Sequence, residues 1–319
     1  MDTVLYLVRR LLQALAVILI VTIVVFCLLH ALPGGPARGI LGPQATAGQI
    51  AAFNHEQGLD RSLPVQYVLY LRELVQGDLG TSYTLNEAVS RLIEQRLPKT
   101  LVLTVLSAMV GLVLAVPLGM WQAVRRNKPT DYVITTLSLV AYSTPVYFLG
   151  LLLILLFTQT LRWFPSQAPQ GDTLGQVLAD PAGLVLPVVT GAASMVAVFS
   201  RYMRGATLEN LSEDYVRTAR AGGASQYAVL FRHVFRNSLT PVVAMLGYYV
   251  PVLFGGALVV EQLFNYPGMG LLFWSAAQSS DYPVLLGCVL VISVATVVGT
   301  LLADVVQRVV DPRVKEGRS

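Results

Sequence analysis

The stretch Leu11–Leu32, LLQALAVILIVTIVVFCLLHAL, decides the class of fold. It contains no Asp, Glu, Lys or Arg, and only His30 near its end carries a basic ring. A helix rises ~1.5 Å per residue, so roughly 20 apolar residues cross a hydrocarbon core about 30 Å thick. Working outward, five more stretches have this character: Thr100–Val124, Tyr132–Thr158, Leu184–Ser200, Leu239–Val260 and Val284–Val306. The fourth span carries Pro187 and the fifth Pro241 and Pro251, which neighbouring helices can tolerate. Of 319 residues, 55% are hydrophobic and only 13% charged, about half the charged share of a soluble domain. So few charges cannot cover a water-exposed surface of this size. The apolar content excludes disorder, and two cysteines exclude a disulfide scaffold. The chain reads as an all-α integral membrane protein of six spans.

The first stretch has a rival reading as a cleaved signal peptide, because Arg9 and Arg10 precede it. Its length of 22 residues exceeds the ~7–15 of a signal core, so an uncleaved span is expected. Orientation follows from basic residues. With the N-terminus inside, the inner segments hold Arg9, Arg10, Arg125, Arg126, Lys128, the arginines between 201 and 236, Arg308, Arg313, Lys315 and Arg318. The two short outer loops hold only Arg162. Both termini are expected in the cytoplasm. Cys27 and Cys288 read as two small apolar residues; nothing supports a disulfide between them.

Four segments follow: an N-terminal segment with the first span (1–32), an extracytoplasmic helical loop (33–98), a five-span core (99–306) containing a cytoplasmic loop at 205–238, and a tail (307–319). In the outer loop, Leu63-Pro64 opens a helix with Tyr67, Leu71, Leu74 and Val75 at helical spacing. Gly77-Asp78-Leu79-Gly80 breaks it, a second helix carries Val89, Leu92 and Ile93 on one side, and Pro98 ends that helix or starts the next span. Such a segment is either a simple cap over the membrane domain or a docking surface for an extracytoplasmic partner.

The inner loop carries more information. Ser212 suits an N-cap, with Glu213 and Asp214 at a helix start, Arg217 and Arg220 in later turns, and Gly222-Gly223 as a stop. Ser225 can cap a second helix running towards Pro241, with Tyr227, Leu230, Phe231, Val234 and Phe235 as its apolar stripe. Arg232, His233 and Arg236 lie on its other side, which can face lipid phosphates at the membrane surface. A short helix projecting from a membrane can enter a cleft on a cytoplasmic protein and pass its motion to the spans. The same residues also satisfy an ordinary basic loop obeying the positive-inside rule.

A resemblance decides between these. Asp214-Tyr215-Val216-Arg217-Thr218-Ala219-Arg220-Ala221-Gly222-Gly223-Ala224, followed by His233-Val234-Phe235-Arg236-Asn237-Ser238-Leu239-Thr240-Pro241, resembles the EAA loop of membrane subunits in binding-protein-dependent ABC importers, in the form of the dipeptide/oligopeptide/nickel permease family. Tyr6–Leu12, Leu32–Pro36, Gly77–Ser82, Arg96–Leu101, Glu261–Gly270, Asp281–Pro283 and Asp311–Arg313 are similar to further signatures of that family, in order along nearly the whole chain. Two positions depart from it. The motif's leading Glu falls on Arg217, and Gly222 stands where this branch often carries Lys.

The resemblance implies a type I ABC importer permease fold with a helical outer cap and a cytoplasmic coupling helix over Ser212–Ala221. Asp214, Tyr215, Arg217, Thr218, Ala219, Arg220, Ala221, Gly222, Gly223 and Ala224 would carry the coupling. It implies a second homologous permease, two cytoplasmic ATPase subunits that hold ATP and magnesium, and an extracytoplasmic binding protein that delivers peptide. This chain would then sit in a bacterial or archaeal inner membrane, bind no cofactor of its own and catalyse nothing itself.

The residues agree on that last point. There is no G-x-x-x-x-G-K-[ST] phosphate loop, no H-E-x-x-H and no G-x-S-x-G nucleophile turn, and His30, His55 and His233 lie far apart in sequence. No feature points to nucleic acid. Charges inside the spans are nearly absent, which disfavours an ion-coupled relay. Glu261 sits at the outer end of span five, and Asp304 and Arg308 are spaced to pair at the inner end of span six. Tyr142, Ser143, Thr144, Ser194 and Tyr248 are candidates for the translocation pathway by residue type, with helix packing as the competing explanation. Pro145 is placed to kink span three. The rival to an ATP-driven permease is a self-contained ion-coupled carrier or channel.

Overall fold

The computed structural model describes residues 3–31, 35–42 and 44–310, with side chains over 9–10, 12–31, 35–42 and 44–302. The residues Leu32–Gly34, the Asp311–Arg313 motif, and the side chains of Asp304 and Arg308 lie outside the described residues. The elements are helical: α1 (Thr3–His30), α2 (Gly35–Leu41), α3 (Ala47–Glu56), α4 (Leu63–Val75), α5 (Val89–Val124), α6 (Pro129–Ser143), α7 (Val146–Thr160), α8 (Leu174–Leu178), α9 (Pro181–Leu211), α10 (Asp214–Ala221), α11 (Gln226–Leu263), α12 (Met269–Ser279) and α13 (Tyr282–Val310). Among the described residues the one β-type pairing is an isolated bridge between Thr81 and Ala88.

Among the described residues five helices are long and apolar enough to cross a membrane: Leu12–His30 within α1, α5, α9, α11, and Tyr282–Leu302 within α13. The sixth expected span is broken. Helices α6 and α7 meet at an angle of 110° across Thr144 and Pro145, and count as one span only when taken together. The cause is local. Thr144 precedes a proline, which disfavours helical backbone there, and its ψ of 126° is extended. Proline therefore does more than kink this span, as the sequence suggests; it divides it.

Two further boundaries differ from the sequence reading. Helix α5 starts at Val89 and runs 36 residues through Pro98, so the outer amphipathic helix and span two are one element. Helix α11 runs 38 residues from Gln226 to Leu263 through Pro241 and Pro251. The expected surface helix and span five are therefore continuous. The first part of α11 widens into a π-helical stretch over Val229–Val234. That wider turn brings Val229 and Val234, five residues apart, onto one buried face; Tyr227 and Phe231 from the expected stripe are exposed. Helices α2 and α3 were not foreseen, although Thr46 and Gln49 form a capping box at the start of α3.

The described residues fall into two compact units. One draws on Met1–Thr100 and Pro267–Val297. Its core contains Phe26, Leu29, Val89, Leu92, Met269, Tyr282 and Cys288, with Tyr67, Tyr70 and Tyr83 packed against it. From α4 it is Tyr67 and Tyr70 that reach this core, whereas Val75 is 88% exposed. Within this unit the Asp281 carboxylate, 1% exposed, accepts hydrogen bonds from Ser82 Oγ at 2.6 Å, Thr84 Oγ1 at 2.8 Å, Thr84 N at 3.1 Å and Tyr83 N at 3.2 Å. Two motifs 199 residues apart are thereby one structure. Burial, and then the negative charge of Asp281, pushes the Tyr83 phenol up to about 12, and burial does the same for Tyr70.

The other unit draws on Leu101–Tyr266 and Val298–Ser319. One core cluster joins Leu103, Leu186, Val260, Phe264 and Tyr266; another joins Ala115, Met195, Phe199, Met203, Val242 and Tyr249. Gly119 lets α5 approach the α9 backbone closely, since an added Cβ would collide with the Ser200 carbonyl. At the start of α6, Asp131 is 3% exposed and forms a two-pronged ion pair with Arg204 of α9, Nε at 2.9 Å and Nη2 at 2.8 Å. Asn127 N donates to the same carboxylate at 3.1 Å, so the turn after α5 is fixed by it.

Candidate functional site: a projecting basic helix and the clefts of the core

Helix α10 is short because both ends are defined locally. Its start differs from the sequence reading. Ser212 is the C-cap of α9, and its hydroxyl donates back to the Glu209 carbonyl at 2.7 Å. Glu213, with extended backbone, takes the N-cap place. The expected coupling helix thus begins at Asp214 rather than Ser212. The end is as expected, and the two glycines divide the work. Gly223 has φ +81°, which favours glycine, while Gly222 has φ −75°, which any residue adopts. Around Gly222 an added Cβ meets only ordinary contacts at 3.5 Å.

One face of α10 is anchored. Val216 is fully buried against Val229 and Val234, the two valines that the π-helical turn directs inward, and Tyr215, Ala219 and Ala224 pack around them. The Tyr215 hydroxyl donates to Asn210 Oδ1 at 2.7 Å. Ser225 caps α11 by accepting from Ala228 N at 3.2 Å. The other face is open. Asp214, Arg217, Thr218, Arg220, Ala221, Gly222 and Gly223 are exposed. Arg217 Nη1 lies 3.3 Å from Asp214 Oδ1 with both side chains largely in solvent, a pair of little energetic weight. Of the ten residues expected to couple, Tyr215, Ala219 and Ala224 therefore hold the helix in place, and the remaining seven form its free surface.

The pathway candidates separate in the same way. Ser194 lines a small cavity of about 30 Å³ with Thr104, Ser107 and Tyr249. Tyr142 lines a wide cleft of about 800 Å³. Tyr249, which sequence reasoning did not single out, borders both. Tyr248 beside it points elsewhere and is 73% exposed. Ser143 and Thr144 sit at the break between α6 and α7, where the Thr144 hydroxyl donates to the Val140 carbonyl at 2.7 Å. The only signal that could have selected Tyr249 over Tyr248 was its register with Val242, seven residues earlier on the same buried helix face.

Among the described residues, five or six helices able to cross a membrane give the architecture of a multi-pass membrane protein. The chain belongs to the family of inner membrane components of binding-protein-dependent transport systems: that family's model matches residues 115–316, and the model of its N-terminal component matches residues 3–104. A putative peptide permease protein of Brucella ovis is 38% identical over 314 residues, covering 97% of this chain and 98% of that one. The oligopeptide transport system permease protein AppB of Bacillus subtilis is 37% identical over 312 residues, covering 97% and 99%. The glutathione transport system permease protein GsiC of Salmonella choleraesuis is 38% identical over 311 residues, covering 97% and 98%.

Proposed function

We propose that this chain is one permease subunit of an ATP-driven ABC importer, pairing with a second homologous permease to form the path for peptides. An extracytoplasmic binding protein delivers the substrate, and two cytoplasmic ATPases bind ATP and magnesium and supply the energy. The relatives named for peptide, oligopeptide and glutathione transport support peptides as the substrate class. The positive-inside distribution supports cytoplasmic termini and a cytoplasmic α10.

The observation that carries this reading is the division of α10 into an anchored and a free face. Val216, Tyr215 and Ala219 grip α9 and α11, so a load applied to Arg217, Arg220 or Gly222 is passed to two long helices of the core. The arginines suit charge-assisted hydrogen bonds inside an ATPase groove. On this reading Arg220→Glu lets the complex assemble and hydrolyse ATP while import falls to background in proteoliposomes. Wild-type uptake by that variant would remove the coupling role from α10.

A further inference from the structure

The 800 Å³ cleft holds an unusual pairing of charges. It lies within the unit containing α6, α9 and α11, and its walls include Tyr142, Tyr202 and Tyr249. Arg201 and Glu209, both exposed on α9, also line it. Among the described residues neither is held in an ion pair. Arg204, one turn from Arg201, is taken by Asp131. The arrangement thus leaves one guanidinium and one carboxylate free, eight residues apart on one helix, which is about 12 Å along its axis. Glu209 also stands in the last turn of α9, where the helix carbonyls add negative potential.

We propose that this cleft is a transit site for a short zwitterionic peptide, with Arg201 receiving the terminal carboxylate and Glu209 the terminal ammonium. The assignment rests on the peptide-importer reading and deepens it. An extended chain spans ~3.3–3.6 Å per residue, so about three to four residues bridge the two charges. The cleft volume lies inside the ~300–1,000 Å³ range of small-ligand sites. The tyrosines offer flat walls that contact backbone and side chains without demanding one sequence. An apolar solute would gain nothing from the two charges, and an anion alone would be repelled by Glu209.

The test uses the complete complex in proteoliposomes, with saturating peptide-loaded binding protein so that capture is equal for every variant. Photoreactive benzoylphenylalanine replaces Tyr202, and the probes are radiolabelled trialanine and its C-terminal amide. During turnover the probe at 202 should label trialanine. Arg201→Gln should cut trialanine labelling and uptake per ATP roughly tenfold, with Arg201→Lys restoring most of it, since a charge-assisted contact is lost and then replaced. The amide should be indifferent to Arg201→Gln. Equal uptake and labelling of trialanine by wild type and by both Arg201→Gln and Glu209→Gln would overturn this site while leaving the importer reading standing. So would photolabelling of the second permease alone, because the cleft would then be a subunit contact. A wild-type complex that imports no peptide would overturn the importer reading itself.

Discussion

Replacing Asp281 by Ala should loosen the segment around Ser82–Thr84 from Asp281 and the helices of its own unit. The carboxylate receives two hydroxyls, from Ser82 and Thr84, and two backbone amides, from Tyr83 and Thr84. The hydroxyls can turn to new acceptors, and Ser82 Oγ still accepts from Leu85 N at 2.9 Å. The amides cannot turn. A fully buried donor left without a partner costs ~1–3 kcal/mol; these two are only partly buried, so together they set a loss of about 3 kcal/mol at most. No cation faces Asp281 in these contacts, so no buried positive charge is left behind. Asp281→Asn keeps the shape and one acceptor oxygen, and should lose roughly half as much. The assay is tryptic cleavage after Arg72 and Arg91, both exposed, in mild detergent. Where opening is fast, cleavage follows the population of the open form. Asp281→Ala should then raise the rate on the order of 100-fold and Asp281→Asn about tenfold. Rates within twofold of wild type for both variants would refute the reasoning, because the four hydrogen bonds would then hold nothing.

Other outcomes follow from the same geometry. The Tyr83 phenol sits at about 12 when folded against an ordinary value of 10, so it adds stability below pH 10 that is lost as pH rises from 10 to 12. Tyr83→Phe should flatten the alkaline limb of thermal stability measured over that range; an unchanged limb would contradict the burial of this ring. Gly222→Lys should leave coupled transport intact, because the position has an ordinary φ and room for a side chain. Gly223→Val, at φ +81°, should cost about 1–2 kcal/mol locally and reduce uptake per ATP. Transport assays on the two variants in parallel check this pair, and equal behaviour would contradict it.

Much of the molecule was legible because a bilayer imposes a coarse rule. Long apolar runs such as Leu11–Leu32 and Val284–Val306 had nowhere else to go. What lay beyond that rule was harder to see. Pro98 looks like a helix end in sequence, yet α5 runs through it, as α11 runs through Pro241 and Pro251, since packed neighbours make a lost backbone bond tolerable. Pro145 did end its helix, and the residue type alone does not separate the two cases. Ser212 serves equally well at either end of a helix; here its hydroxyl found the Glu209 carbonyl behind it. The π-helical stretch in α11 puts Val229 and Val234, five residues apart, on one buried face, a spacing that no fixed period predicts. In the site, the open face of α10 was readable from Arg217, Arg220 and the glycines. The bonds joining Asp281 to Ser82 and Asp131 to Arg204 were not, because they join residues far apart in the chain by side-chain chemistry alone.

The central claim is that this chain works as the coupling-helix-bearing permease of an ATP-driven peptide importer. The most direct measurement is an oxidant-driven disulfide cross-link between a cysteine at Arg220 and single cysteines introduced on the ATPase surface, in a background with Cys27 and Cys288 replaced by Ser, in purified complexes. The account predicts a covalent adduct with a cytoplasmic ATPase subunit, alongside a second permease, with ATPase activity stimulated by peptide-loaded binding protein. A chain that purifies alone or with copies of itself, forms no such adduct and still moves solute without ATP would contradict it.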